Sequence, residues 1–492
     1  MSTLNFGLSR RELLQRAVAG AWLAALGPIA RAAEGEAPVA GPISPVMRRV
    51  SLYISHALQN PLPENVIEHA KHHLLDSLSA MVSGSHLLPG QKALAYAKSL
   101  GGKPEACVAG SRLTLSLVNA AMINGMLAHS DETDDSHAPS LTHPGCAIVP
   151  AALAMAERMQ CDGMTLLRAV TLGYDIGTRA SLALGGYAMA DAGRDTHAIG
   201  TSFGAAAAAA AIAGLSETQV RHVLSYTAQQ ASGLSNYARD LEHVEKAFLF
   251  GGMPARNGAT AADMVASGMT GIDDVFSGER NLFFAFGPKS NPDQFVRGLG
   301  ETYEIVNTNI KRWTVGSPIQ APLDSLSYLL KNNKFKAEDV EKVLVRVSHQ
   351  GARTTDNRSM PDINMQYMVA VMLLDGSATL EAAHDEKRMN DPKVLEMRRR
   401  IELKGDDELQ KALPRRGGIV ELTLRDGRTL RHHTPDVRGT PQNPMTRDEV
   451  DEKCYLLCVP VIGKRRAREL VDAIWNIEKL RNVRALRHLL MA

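Results

Sequence analysis

Aromatic side chains are scarce in this chain, where Phe, Trp and Tyr make up 5% of 492 residues, although 45% of the residues are hydrophobic and 22% are charged. This balance excludes a disordered polypeptide and allows a large apolar core. Because alanine, glycine and methionine are plentiful, it also favours closely packed helices over a sandwich of many short strands. We therefore predict a mainly α fold and not an all-β architecture.

Paired cysteines and an excess of one charge are also missing. The five cysteines are odd in number and form no CxxC pair, so neither a disulfide framework nor a zinc site is predicted. Lys and Arg number 55 against 53 Asp and Glu, a formal net charge of +2. With no sustained basic tract, the chain is not expected to bind nucleic acid.

The N-terminus has the pattern of an export signal. Arg10 and Arg11 precede an apolar run from about Ala17 to Ala30, and Ala30–Ala32 is a small-x-small cleavage pattern. The run is short for a stable membrane anchor and contains Pro28. We predict a twin-arginine signal peptide, recognised by the twin-arginine export machinery, that sends the folded protein to the periplasm. Without residues 1–32 the chain has 51 basic and 52 acidic side chains, so its net charge is −1.

The rest of the sequence changes from helical to mixed patterns and back again. Helical periodicity dominates to about Ser277, with seven consecutive alanines at Ala205–Ala211. Period-two valines at Val343–Ser348, and a hairpin over Gly418–His433 with a turn at Asp426–Gly427, indicate a smaller α+β part. A helical pattern returns from Arg447 and is expected to pack on the N-terminal helices. The predicted divisions are a signal peptide (1–32), a linker (33–45), a large helical domain (46–304), an inserted α+β lid (305–436) and C-terminal helices that complete the helical domain (437–492).

The densest polar cluster spans residues 129–143 and follows an apolar helical stretch. It places three histidines within fifteen residues of four carboxylates. One interpretation is an acidic capping turn at the surface. A metal site is a second, with candidate ligands His129, Asp131, Asp135, His137 and His143, but no standard ligand spacing is met.

Two further interpretations assign the cluster a substrate. The acidic run could hold magnesium against a diphosphate, although no clear second metal motif accompanies it. General acid–base chemistry on a small polar substrate is the other, because histidines exchange protons near neutral pH. That chemistry also needs cations, which occur at Lys246 and at Lys311–Arg312. Together with His197, at a Gly-rich turn that enters the alanine helix, they suggest a pocket for an anion with several carboxylates.

Five ordered motifs resemble the MmgE/PrpD family of 2-methylcitrate dehydratases, cis-aconitate decarboxylases and iminodisuccinate epimerases. The resemblance covers roughly residues 45 to 490. It implies a large helical domain built from both ends of the chain, an inserted α+β lid, a homodimer, and no required metal or organic cofactor. The motifs are HSDETDDSHAPSLTHPGCAIVPAA, HAIGTSFGAAAAAA, EKAFLFGGMPARNGATAADMVASGMTG, IKRW and MQYMVAVMLLDG.

The same resemblance implies the site residues. Those of proton-transfer type are Glu132, Ser136, His143, His197, Lys246 and Tyr367, and those expected to bind the substrate are Asp135, His137, Lys311 and Arg312. The family's decarboxylases resemble one another in a histidine five residues after the lysine at Lys311, a place that Gly316 occupies here. This departure disfavours cis-aconitate decarboxylation.

The expected function is therefore that of a lyase that dehydrates a hydroxy-polycarboxylate such as 2-methylcitrate or citrate. Lys246, Lys311 and Arg312 would bind carboxylates, and His143 and Glu132 would transfer protons. His197, Ser136 and Tyr367 would orient the substrate or supply the leaving-group proton. Two alternatives stay open, an epimerase or isomerase of a dicarboxylate and an exported polycarboxylate-binding protein without turnover.

Overall fold

The computed structural model describes residues 42–492, and the predicted signal peptide with most of its linker lies outside them. The described chain is mainly helical with a small sheet, so the predicted fold class is confirmed. The first thirteen helices are α1 Pro45–His56, α2 Glu64–Gly84, α3 Leu88–Ala97, α4 Leu117–Ala128, α5 Gly145–Met159, α6 Gly163–Ala183, α7 Tyr187–Asp191, α8 Thr196–Ile212, α9 Glu217–Gln229, α10 Val244–Ala247, α11 Met253–Ala266, α12 Leu282–Phe286 and α13 Asp293–Val296. The others are α14 Ser317–Asn332, α15 His349–Thr355, α16 Met365–Asp375, α17 Glu386–Met389, α18 Pro392–Arg399, α19 Asp407–Lys411, α20 Arg447–Trp475 and α21 Arg487–Leu490.

Helix α8 lies at the centre of a group of closely packed helices. All its residues are buried, and its alanines allow α5, α6 and α11 to pack closely against it. Asp195 caps its N-terminus by accepting a hydrogen bond from the Ala198 amide at 2.7 Å. The next helix, α9, begins at a capping box of Ser216 and Gln219.

Helix α20 brings the C-terminal part of the chain back onto α2. It begins at a capping box of Thr446 and Glu449. Its Lys453 pairs with Asp76 of α2 at 2.5 Å and donates a hydrogen bond to the Thr133 carbonyl at 3.0 Å. The helical pattern that starts at Arg447 does not continue as one helix to the end of the chain, because α20 ends at Trp475 and short turns follow.

Six strands in residues 42–492 form two small sheets. Strands β1 Ala106–Cys107 and β2 Thr114–Leu115 pair with each other, and the other four are β3 Val340–Ser348, β4 Ile401–Asp406, β5 Gly418–Leu424 and β6 Thr429–Thr434. The four-stranded sheet has the order β4-β3-β5-β6, with β4 parallel to β3 and the other pairs antiparallel. The hairpin β5–β6 confirms the predicted strands to within one residue at each end.

The hydrophobic side chains form two clusters. The first draws its buried members from residues 47–310 and 445–490, and the second from residues 315–424. We call these the helical core and the sheet core. The valines at 343, 345 and 347 are buried in the sheet core, as their period-two spacing predicts. Among the described residues, no helix has the length and apolar character needed to cross a lipid bilayer.

Candidate active site

A cavity of about 360 Å³ lies between the two cores, and we call it the central cavity. The helical core contributes the first turn of α8 and the segments that follow α4 and α9, whereas the sheet core contributes α14, α15 and the connection between α19 and β5. Four predicted site residues line it, namely Glu132, His143, His197 and Lys246. Its size lies near the lower end of the range for small-molecule pockets, about 300–1,000 Å³.

The loop that joins α4 to α5 is organised around one buried carboxylate. Asp134 accepts a hydrogen bond from His129 Nδ1 at 2.9 Å and another from His143 Nδ1 at 3.1 Å. Burial would raise the pKa of Asp134, but His129, His143 and Lys311 outweigh it and hold that pKa well below its usual range. As an ionised acceptor, Asp134 fixes the orientation of both rings.

His143 is an uncharged imidazole at neutral pH. Burial lowers its pKa to about 3, with the charge of Asp134 opposing that shift. Since the proton on Nδ1 is held by Asp134, the Nε2 atom carries a free lone pair. His143 lines the cavity and has the properties of a general base.

Glu132 and two lysines form a buried ion cluster beside this base. Lys246 pairs with Oε1 of Glu132, and Lys311 lies 3.3 Å from Oε2 and donates to the Glu132 carbonyl at 2.8 Å. Lys311 also lies 3.7 Å from Asp134. Burial would raise the pKa of Glu132, but the two ammonium groups hold it well below its usual range. Glu132 is thus a carboxylate at neutral pH.

His197 forms a second carboxylate–histidine pair facing the same cavity. It lies in the first turn of α8, where Nδ1 is 3.1 Å from Asp195, the residue that caps this helix. The His143 and His197 rings are 5.4 Å apart. Two imidazoles, each supported by a buried aspartate, are therefore available to one bound molecule.

A π-helical turn at Phe248–Gly252 holds an aromatic ring among these histidines. Phe250 stacks on His197 at 3.7 Å and on His129 at 4.5 Å, and the ammonium of Lys246 lies 5.1 Å from its centre. The turn approaches α4 so closely that a Cβ on Gly251 would be 2.0 Å from the Gly125 carbonyl oxygen. Glycine at this position is what lets Phe250 reach the site.

Three predicted residues of the same loop face away from the central cavity. Asp135 accepts from His73 at 2.7 Å, from Tyr174 at 2.5 Å and from the Gly145 amide at 2.9 Å. Ser136 is buried at a backbone bridge to Asn309. His137 contacts Ser140 and Glu304, and it lines a separate cavity of about 270 Å³. None of the three lines the central cavity, so a role for them in the site stays a prediction.

Arg312 and Tyr367 are also placed elsewhere. Arg312 lies 3.6 Å from Asp324 and packs on the Trp313 ring at 4.8 Å. Tyr367 is fully buried in the sheet core, where its hydroxyl donates to the Ala382 carbonyl at 2.7 Å. Neither lines the central cavity, so substrate binding by Arg312 and proton donation by Tyr367 are not supported.

Two overlapping groups in the described part of the chain have the residue types of a metal site. His129 joins Asp134 and His143 in one group and Glu132 and His243 in the other, with ligand atoms within 4.8 Å of one another. The ammonium groups of Lys246 and Lys311 already contact the carboxylates that a cation would need. This donor set fits an internal ion pair better than a divalent metal.

His243 was not predicted, although it precedes Lys246 by only three residues. It is 3% exposed, lines the cavity, and neither of its ring nitrogens has a hydrogen-bond partner among the described residues. Its backbone is left-handed, with φ of 62°, which is uncommon for a residue with a side chain. Burial, and then Lys246, lower its pKa well below the usual range.

The sheet core contributes arginines that the sequence interpretation also missed. Together with Lys246 they make five cationic side chains in the lining, against the two carboxylates of Glu132 and Asp240. The two adjacent arginines before Gly417 could have indicated an anion-binding site, but a pair of arginines on the protein surface has the same sequence pattern. The arginines are Arg353, Arg358, Arg415 and Arg416.

Comparison with known proteins covers both parts of the chain. Residues 48–294 match the MmgE/PrpD N-terminal domain, and residues 313–478 match the MmgE/PrpD C-terminal domain. The chain is 23% identical to the cis-aconitate decarboxylase-like protein oryM of Aspergillus oryzae, over 88% of this chain and 95% of the relative. It is 23% identical to a cis-aconitate decarboxylase of Aspergillus terreus (91% and 96% covered) and 25% identical to the cis-aconitate decarboxylase of Homo sapiens (87% and 91% covered).

Proposed function

Because the chain belongs to the MmgE/PrpD family, we propose that it is a lyase acting on a polycarboxylate, and that its reaction is the dehydration of a hydroxy-polycarboxylate. The observation that carries this proposal is the pair of aspartate-supported imidazoles facing one cavity, beside a buried Lys–Glu cluster. Such an arrangement provides a base, an acid and fixed positive charge around one cavity.

In the proposed reaction, His143 removes a proton from the carbon next to a substrate carboxylate. The electron pair of the broken C–H bond shifts toward that carboxylate and then forms the new C=C bond as the neighbouring C–O bond breaks. The hydroxyl leaves as water after taking a proton from His197, whose ring Asp195 orients at 3.1 Å. Lys246 would lie near the developing negative charge. Before the next turnover, His143 releases its proton and His197 takes one up, so both rings return to their starting states.

Decarboxylation is the second candidate, since the relatives described above are named cis-aconitate decarboxylases. It would break a C–C bond and release carbon dioxide, with a proton delivered to the carbon left behind. Gly316 lines the cavity at the position where the family resemblance implies a histidine in decarboxylases. A glycine supplies no proton donor there, and this favours dehydration.

One experiment separates the candidates. The purified protein is incubated in deuterated water with citrate, 2-methylcitrate, malate and cis-aconitate, and the products are followed by NMR and by carbon dioxide release. Dehydration predicts a new alkene from a hydroxy acid, without carbon dioxide. Carbon dioxide from cis-aconitate would overturn dehydration in favour of decarboxylation. Deuterium uptake with no net product would indicate an isomerase or epimerase, and binding without either would indicate a binding protein.

A further inference from the structure

The positive charges of the lysines nearest the reacting groups are already paired with carboxylates of the protein. Lys246 and Lys311 both contact Glu132, and Lys311 also lies near Asp134. Two ammonium groups therefore face two ionised carboxylates, and their charges cancel. A substrate with several carboxylates needs at least one further cation that the protein has not already neutralised.

Arg416 has the properties of that cation. It lies between α19 and β5, lines the central cavity and is half-buried. In the part of the chain that the structure describes, no carboxylate oxygen lies within 4.0 Å of its guanidinium. Its charge acts on both Glu132 and Lys311. Burial lowers the pKa of Arg416, but an arginine stays charged at neutral pH.

The preceding residue provides a contrast within the same loop. Arg415 also lines the cavity, but it forms a two-pronged ion pair with Asp436, with Nε donating to Oδ1 at 2.5 Å. Its charge is thus satisfied inside the protein. Two other lining arginines of the described chain have no carboxylate within 4.0 Å either. Arg358 donates to the Ala238 carbonyl at 2.7 Å, and Arg353 is exposed, so solvent and salt screen it more strongly than Arg416.

We propose that Arg416 binds one carboxylate of the substrate, so that the cavity selects molecules with at least two carboxylates over monocarboxylates. The guanidinium can donate two parallel hydrogen bonds to a carboxylate, a geometry that a lysine cannot reproduce. The reaction of such a substrate rests on the proposed function, whereas the binding of its carboxylate by Arg416 does not.

The test measures binding of non-reacting probes by isothermal titration calorimetry. Tricarballylate, glutarate and butyrate carry three, two and one carboxylates on similar short chains. Wild type is compared with Arg416→Gln, Arg416→Lys and the matched control Arg415→Gln, and circular dichroism and thermal unfolding verify the fold of each variant. We expect Arg416→Gln to weaken tricarballylate and glutarate binding by about 10- to 100-fold. Arg416→Lys should retain part of the affinity, and Arg415→Gln should stay within about twofold of wild type.

The role of Arg416 would be overturned if a folded Arg416→Gln variant kept wild-type affinity, or if Arg415→Gln lost as much affinity as Arg416→Gln. It would also be overturned if the wild-type protein bound butyrate as well as the two polycarboxylates, or bound none of the probes. If Arg416 controls binding but no substrate turns over in deuterated water, the inference stands and the proposed lyase activity fails. If a substrate turns over and its KM does not depend on Arg416, the proposed lyase activity stands and the inference about Arg416 fails.

Discussion

At the scale of single residues, the site depends on which buried polar groups are free to react. His143 presents a free Nε2 to the cavity, whereas Tyr367 uses its hydroxyl inside the sheet core. We expect His143→Ala to lower kcat by about 10²- to 10⁴-fold, because general base catalysis contributes this much. Steady-state kinetics on the substrate found by the NMR panel measures the loss.

Tyr367→Phe is the matched control for that prediction. It removes one buried hydrogen bond and should lower the free energy of unfolding by about 1 kcal/mol, while kcat stays near the wild-type value. Near-wild-type turnover in His143→Ala, or a large loss of kcat in a folded Tyr367→Phe, would reverse the two assignments.

The lowered pKa of His143 also predicts how stability depends on pH. In the folded protein this pKa is about 3, whereas a histidine in an unfolded chain binds a proton near pH 6.5. Between these values the unfolded state holds the extra proton, so this residue destabilises the fold as the pH falls. Urea unfolding at pH 7.5 and 5.0 should show wild type losing about 2 kcal/mol more than His143→Gln. Equal losses in the two proteins would contradict the lowered pKa.

Residue types in ordered motifs predicted Glu132, His143, His197, Lys246 and Lys311, which the structure brings together. The same reasoning assigned Asp135 and Tyr367 to the site, because a buried structural carboxylate or phenol has the same sequence signature as a reactive one. Arg416 and His243 could not be predicted. Their significance depends on the partners they lack, which only three-dimensional packing defines.

At the scale of secondary structure, the contact between α4 and the π-helical turn positions Phe250 among the histidines. We expect Gly251→Ala to disrupt it, because the added Cβ would overlap the Gly125 carbonyl. Overpacking of this kind costs about 1–3 kcal/mol, and the displaced ring should also reduce kcat. Thermal unfolding and kinetics provide the two measurements.

Gly101→Ala serves as the comparison, since a Cβ at Gly101 meets no atom within 4 Å. This variant should keep the melting temperature and activity of wild type. If Gly251→Ala is equally harmless, then the close approach of the two backbones does not constrain the site.

Periodicity and capping predicted most element positions but not every boundary. The β5–β6 hairpin and the start of α20 agree with the sequence pattern because turn and capping signals are local. The end of α20 was missed because apolar residues at helical spacing continue past Trp475. There Lys71 donates to the Trp475 carbonyl at 3.0 Å, a tertiary contact that no local pattern reveals.

At the scale of the whole molecule, the helical core is drawn from both ends of the described chain and the sheet core from the middle. The predicted division into a helical domain and an inserted lid has the same order along the sequence, and its exact limits stay a prediction. The central cavity lies where the two cores meet. Its positive lining is a local property, because the net charge without residues 1–32 is −1.

We also propose that residues 1–32 direct export, on the evidence of the sequence alone. Replacing Arg10 and Arg11 by lysine should leave the protein in the cytoplasm, because the paired arginines are the feature that identifies the route. Cell fractionation followed by immunoblotting measures the distribution. Unchanged periplasmic protein in the variant would exclude the twin-arginine route.

The contact of Lys453 with Thr133 links the site to the order in which the protein is made. Lys453 follows Thr133 by 320 residues, yet it holds the backbone of the loop that carries Glu132 and Asp134. Every residue that lines the central cavity precedes Lys453 in the chain. A polypeptide released from the ribosome before this lysine would contain the complete cavity lining and still lack the anchor of its acid–base loop. Completion of the chain is therefore a condition for completing the site.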